Sequence, residues 1–248
     1  MTTCRHKTLE HARLELHYAA QVLSAWADAW LSARPDDGHT AMTWDGRALV
    51  GERSDRGESF ALRTVDFSLV AQRHGAADAT LSLAGVTLAD AMAWADRQFG
   101  APRDIHLRGG DYDMPACEIA TGAVFAVDRA ALAAIADWYD IGATALARAV
   151  IGWRASTIRV WPHHFDLGAI LYRDAAIDTR QIGLGFSPGD KHYSEPYAYV
   201  TPSPMPTTRP PLDGGGFWRT EGWDGAVLQA SAVIDVHAFM SSAIAAGQ

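Results

Sequence analysis

Apolar residues recur at steps of three and four from Leu9 to Leu31, through Ala12, Leu16, Ala19, Leu23, Trp26 and Trp30. This spacing lines one stripe of a helix, so the chain is predicted to begin with an amphipathic helix over 9–31. Arg34-Pro35-Asp36-Asp37-Gly38 ends it, because proline disfavours helical geometry at the residue before it and glycine admits a positive φ. A short strand over 41–44 follows. From 48 to 83 the pattern is short and strand-like, with Ala61, Arg63, Val65 and Phe67 on one face and Leu62, Thr64, Asp66 and Ser68 on the other. Thr87 as N-cap and Asp90 three residues on predict a second helix that stops at Gly100.

Asp128 caps an alanine-rich helical stretch over 128–153, in which Gly142 marks a point of division into two helices. The pattern then turns to strands over 156–161, 165–172, 180–186, 195–201 and 217–228, and a helix over 231–246 closes the chain. Strands that follow one another without helices between them favour an antiparallel meander. The expected class is α+β: an antiparallel β meander with helices packed on one face and helices at the N- and C-terminal ends. No break in composition divides the 248 residues, so one domain, 1–248, is expected. Residues 202–216, with prolines at 202, 204, 206, 210 and 211 and a glycine triplet at 214–216, read as a surface connection.

Composition removes several function classes. The formal net charge is -8 and no run of Lys or Arg occurs, so a nucleic acid or an anionic membrane is not an expected partner. No segment has the apolar core of a signal peptide or the roughly 18 apolar residues that cross a bilayer, which points to the cytoplasm. The two cysteines, Cys4 and Cys117, form no CxxC pair and read as free thiols. Nucleotide-binding loops and the GxSxG elbow are missing, and Gly109-Gly110 lacks the lysine or helix that a phosphate cradle needs.

The polar chemistry gathers between Trp161 and Tyr197. Pairing 165–172 with 180–186 through a turn at 174–178 places Phe165, Leu167, Ala169 and Leu171 on the same face as Ile182, Leu184 and Phe186. The other face then carries His164, Asp166 and Gly168 opposite Gly183, Gly185 and Ser187, with open volume above the glycines for a ligand or another chain segment. On this register His163 points away from His164. Imidazoles and carboxylates together suit a divalent metal such as Zn, Mn, Fe or Ni. The candidate ligands are His164, Asp166, His192 and His163, with Asp190 or Glu195 as general base acting on a bound water. His39 could join them from the loop after the first helix. Trp161, Ser187, Tyr193, Tyr197, Trp218 and Trp223, with His39, are the candidate lining of a small-molecule pocket.

The segments Trp161-Pro162-His163-His164-Phe165-Asp166, Gly185-Phe186-Ser187-Pro188-Gly189-Asp190, Glu195-Pro196-Tyr197 and Glu221-Gly222-Trp223-Asp224-Gly225-Ala226-Val227-Leu228 resemble a bacterial family of uncharacterised proteins, a domain of unknown function. The resemblance extends to residues 34–40. It implies a shared fold and brings no activity. Three readings stand side by side: a divalent-metal-dependent, hydrolase-like enzyme; a non-catalytic small-molecule binding domain with an aromatic pocket; and an oligomerisation or scaffold domain that uses an open sheet edge, with a homo-oligomer as its product.

Overall fold

The structure is a computed structural model that describes residues 2–100, 103–108, 112, 114–126, 128–173 and 180–248, with side chains from residue 9 onward. In chain order the first half holds α1 (Thr2–Trp30), β1 (Met42–Trp44), β2 (Ala48–Gly51), β3 (Ser59–Arg63), β4 (Ser68–Gln72), β5 (Ala79–Ser82), α2 (Leu88–Asp96) and α3 (Arg129–Ala149). The second half holds β6 (Arg154–Ala155), β7 (Arg159–Trp161), β8 (Asp166–Tyr172), β9 (Gln181–Ser187), β10 (Tyr197–Ser203), β11 (Phe217–Arg219), β12 (Gly225–Gln229) and α4 (Val236–Ala246). The class is α+β, with antiparallel strand pairs and helices at both ends. No described helix is long and apolar enough to cross a membrane. The chain divides into two compact units, Met1–Ala136 with Val160–Phe165, and Asp137–Arg159 with Asp166–Gln248.

In the first unit the sheet order is β7-β1-β2-β3-β4-β5. The stripe predicted for α1 is buried: Trp26 meets Phe60 of β3 and Phe99 edge-on, both with ring centroids 5.4 Å apart, and Phe60 and Phe99 lie 5.0 Å apart. Such aromatic pairs add geometric preference to the burial itself. At the start of α2, Thr87 Oγ1 accepts from the Asp90 amide at 3.1 Å, as the capping pattern predicts. The strand expected through residue 68 is instead a hairpin. β3 ends at Arg63, which pairs with Ser68 of β4, and Phe67 adopts φ +49° in the turn. Val65, assigned to a strand face, is solvent-exposed there.

In the second unit the order is β11-β12-β10-β9-β8, with β6 beside β8. Leu167 stands opposite Phe186 and Leu171 opposite Ile182, the parity that the apolar rows require. The predicted turn at 174–178 lies outside the described residues. Helices cover this apolar face, since Trp138 of α3 lies 5.5 Å from the Phe186 ring and the C-terminal end of α4 reaches Pro202 and Ile182. Gly142 does not divide α3. A Cβ there would lie 2.7 Å from Phe186 Cγ, so the glycine lets an unbroken helix approach the strand. The strand expected over 217–228 is two, β11 and β12, paired to each other. The closing helix starts later than expected, at Val236, where Asp235 Oδ1 accepts from the amides of His237 and Ala238.

Candidate functional site

The face of the second unit opposite its helices carries the unusual chemistry. Register places Tyr197, Tyr199 and Thr201 of β10 opposite Ser187, Gly185 and Gly183 of β9, and Gly168 of β8 opposite Gly185. The glycine row is therefore not open, as the sequence suggested. A Cβ at Gly185 would collide with the Tyr199 ring, and Thr201 Oγ1 occupies the space over Gly183. The absent side chain lets Tyr199 extend across β9, where its hydroxyl donates to Asp166 Oδ2. Asp166 is only 6% exposed, and its second oxygen, Oδ1, is buried without a hydrogen-bond partner. Burial, and then the Asp166 charge, hold the Tyr199 hydroxyl well above the ordinary phenol range, so it stays a donor.

A second tyrosine–carboxylate pair lies beside the first. Tyr197 donates to Asp190 Oδ2 at 2.8 Å and is hydrogen-bonded by the buried Ser187, while burial, ahead of the Asp190 charge, keeps its hydroxyl protonated. Asp190 Oδ1 accepts from the amides of His192 at 2.7 Å and Tyr193 at 3.0 Å. Both oxygens are thus engaged in shaping the loop, in the manner of an Asx turn. Glu195 is engaged too: Gln229 Nε2 and Ser231 Oγ donate to Oε1, and the Ser231 amide donates to Oε2. Neither residue proposed as general base holds a free carboxylate oxygen.

Aromatic rings surround this face. Tyr193 stacks obliquely 4.9 Å from Tyr197, and Trp223 meets Tyr199 edge-on at 6.2 Å. Trp223 lies over Gly225, where a Cβ would strike its ring. Trp218 has the opposite parity, paired with Ala226 rather than Val227, and its indole donates to the Pro210 carbonyl at 2.7 Å. It therefore belongs to the helix-covered side and not to this face.

The other candidates lie in the first unit. His39 is fully buried; its Nδ1 accepts from the Arg34 amide at 3.2 Å and its Nε2 lies 3.4 Å from Asp28 Oδ1. Arg108 bridges Asp28 at 3.2 Å and Asp37 at 3.3 Å, and its Nη1 lies 3.4 Å from the Tyr112 hydroxyl. The Tyr112 ring is 5.7 Å from His163, which is 4.3 Å from His164 and 5.9 Å from Trp161. The two histidines do not alternate across a strand. Residues 162–165 form a turn closed by the Phe165 amide on the Trp161 carbonyl at 2.7 Å, with Phe165 at φ +56°, and β8 begins only at Asp166. In the same unit His17 donates to the Pro162 carbonyl at 2.7 Å, and burial lowers its pKa to about 4.

Among the described residues no three His, Cys, Asp or Glu side chains stand together as a metal site would need. No family model, curated protein or solved structure matches the chain. Sequence reasoning took Tyr199 only as one of the aromatics beside the hairpin, not as a partner of Asp166, and passed over Arg219 in the second unit and Asp28, Arg108 and Tyr112 in the first. Tyr199 carried a usable signal, since it shares the parity of Tyr197 and faces a glycine. The others are joined by long-range contacts that no local pattern encodes.

Proposed function

We propose that the polar face of the second unit binds a small organic molecule that brings a hydrogen-bond donor, an amine or amide, to Asp166 and lays a flat apolar body against Tyr197, Tyr199 and Trp223. One observation carries this reading: Asp166 is buried, one of its oxygens is bonded to Tyr199, and the other has no partner. A buried acceptor left unmade is costly, and sites that hold such a group are where a ligand completes the set. The two tyrosine hydroxyls are held as donors to carboxylates, so they fix the acceptors rather than compete as acids. The rings around Asp166 supply area with little conformational entropy to lose.

The test is a thermal-melt and calorimetric panel of tryptamine, phenethylamine, their carboxylic-acid counterparts and neutral amides, run on the full chain. Amines should raise the melting temperature saturably and the acids should not. Asp166→Asn should abolish the amine response while leaving the fold intact by circular dichroism. A panel without saturable binders, or binding that survives Asp166→Asn, ends the reading.

A further inference from the structure

Arg209 of the second unit pairs with Asp224 at 3.1 Å, but Arg219 has no ion-pair partner among the described residues. Its guanidinium is held by other means. Nη1 donates to the Tyr193 hydroxyl oxygen at 2.9 Å, Nη2 lies 3.3 Å from His192 Nδ1, and Cζ sits 5.1 Å from the Tyr193 ring and 5.5 Å from the Trp223 ring. Nε is buried with no acceptor. Arginine has only donors, so His192 Nδ1 is the acceptor in this contact and the imidazole proton resides on Nε2. Tyr193, accepting through its oxygen, keeps its own hydrogen to give. The corner thus holds one full positive charge and donors from three side chains; the Asp190 carboxylate lies on the backbone side, taken up by the His192 and Tyr193 amides, and among the described residues no carboxylate reaches the Arg219 guanidinium.

A glycine lets the backbone come close to these side chains. Gly222, at φ +79°, lies where a Cβ would come 3.3 Å from Arg219 Nη2 and 3.6 Å from His192 Cε1. We infer that Arg219, His192 and Tyr193 form an oxyanion-binding site that takes a carboxylate or phosphate group. Two rings flank the guanidinium carbon and two side-chain contacts fix its nitrogens, and a planar fork is the geometry that grips such an anion through two hydrogen bonds. The chain as a whole carries a net charge of -8, which repels anions at long range, so this attraction is local to the corner. The inference stands apart from the amine reading, because it uses neither Asp166 nor Tyr199.

The experiment uses isotopically labelled full-length protein and follows the Arg219 Nε–H resonance, identified by its loss in Arg219→Lys. Acetate and inorganic phosphate are titrated in separate arms at constant ionic strength set with chloride. Saturable shifts are expected with at least one oxyanion, and the two arms separate a planar from a tetrahedral group. Arg219→Gln should remove the response, monitored then at His192. Arg219→Lys should weaken binding at least about tenfold, the equivalent of one charged hydrogen bond. Arg209→Gln should bind as the parent does. Shifts that stay absent or linear in both arms, or saturation unchanged in Arg219→Lys, would overturn the site.

Discussion

The two polar clusters treat their charges differently. Around His39 in the first unit, Arg108 stands between Asp28 and Asp37, and the buried imidazole faces Asp28. Every ionised group there has an opposite charge beside it. On the sheet face of the second unit, among the described residues, Asp166 is hydrogen-bonded by a neutral phenol and Arg219 meets a phenol, an imidazole and two rings. Removing charges from water is costly unless they are paired. A cluster whose charges close on one another explains itself as structure. A cluster that leaves a carboxylate and a guanidinium open calls for something from outside, and this difference is the reason for placing function on the second unit.

Acid should affect the units most unequally. The His17 pKa of about 4 lies below its ordinary 6.5, so the unfolded chain takes up the proton first. Its contribution is complete above the ordinary value and is lost as pH falls toward the folded one, about 3 kcal/mol in all. Protection factors of α1 amides, taken relative to intrinsic exchange at each pH, should fall over that window, and His17→Gln should flatten the slope; equal slopes would remove His17 from the account. In the second unit the raised Tyr197 and Tyr199 act at the other end, with stability complete below the ordinary phenol value of 10.0 and lost as pH rises above it. Denaturant melts on either side of that value should report that loss.

A smaller effect probes the open cluster directly. Tyr199→Phe strips Asp166 of its recorded donor and should cost about 2 kcal/mol by denaturant melt, as for a hydrogen bond to a charged group. The smallest concerns the closed cluster: Arg108→Gln should cost about 1 kcal/mol or less, and less still in high salt, because Asp37 is 58% exposed. If Arg108→Gln proves the more damaging of the two, the contrast between the clusters is inverted.

Much of the second unit was legible because its strands obey a period of two. Leu167, Ala169 and Leu171 against Ile182, Leu184 and Phe186 set the parity, and parity alone put Asp166 on the same face as Gly168, Gly183 and Gly185. The pattern revealed a vacancy but not its occupant, since Tyr199 arrives from a third strand. Trp161-Pro162-His163-His164-Phe165-Asp166 misled for a different reason. Its residues from His163 to Asp166 read as alternating along a strand, yet Phe165 takes a left-handed conformation, which a bulky residue rarely adopts and no composition rule flags. The Arg108 bridge was illegible because it joins a helix end, a loop and a segment far along the chain. Capping was legible because it is local: Thr87 and Asp128 both accept from the amides their positions predict.

Gly142 carries a lesson for anyone engineering this protein. Replacing a mid-helix glycine with alanine is a routine stabilising move, worth roughly 0.5–1 kcal/mol where the backbone is free. In α3 the added methyl would act as a wedge against Phe186, prising the helix from the sheet it covers. The residue that a propensity table would remove first is the one that sets the thickness of the layer.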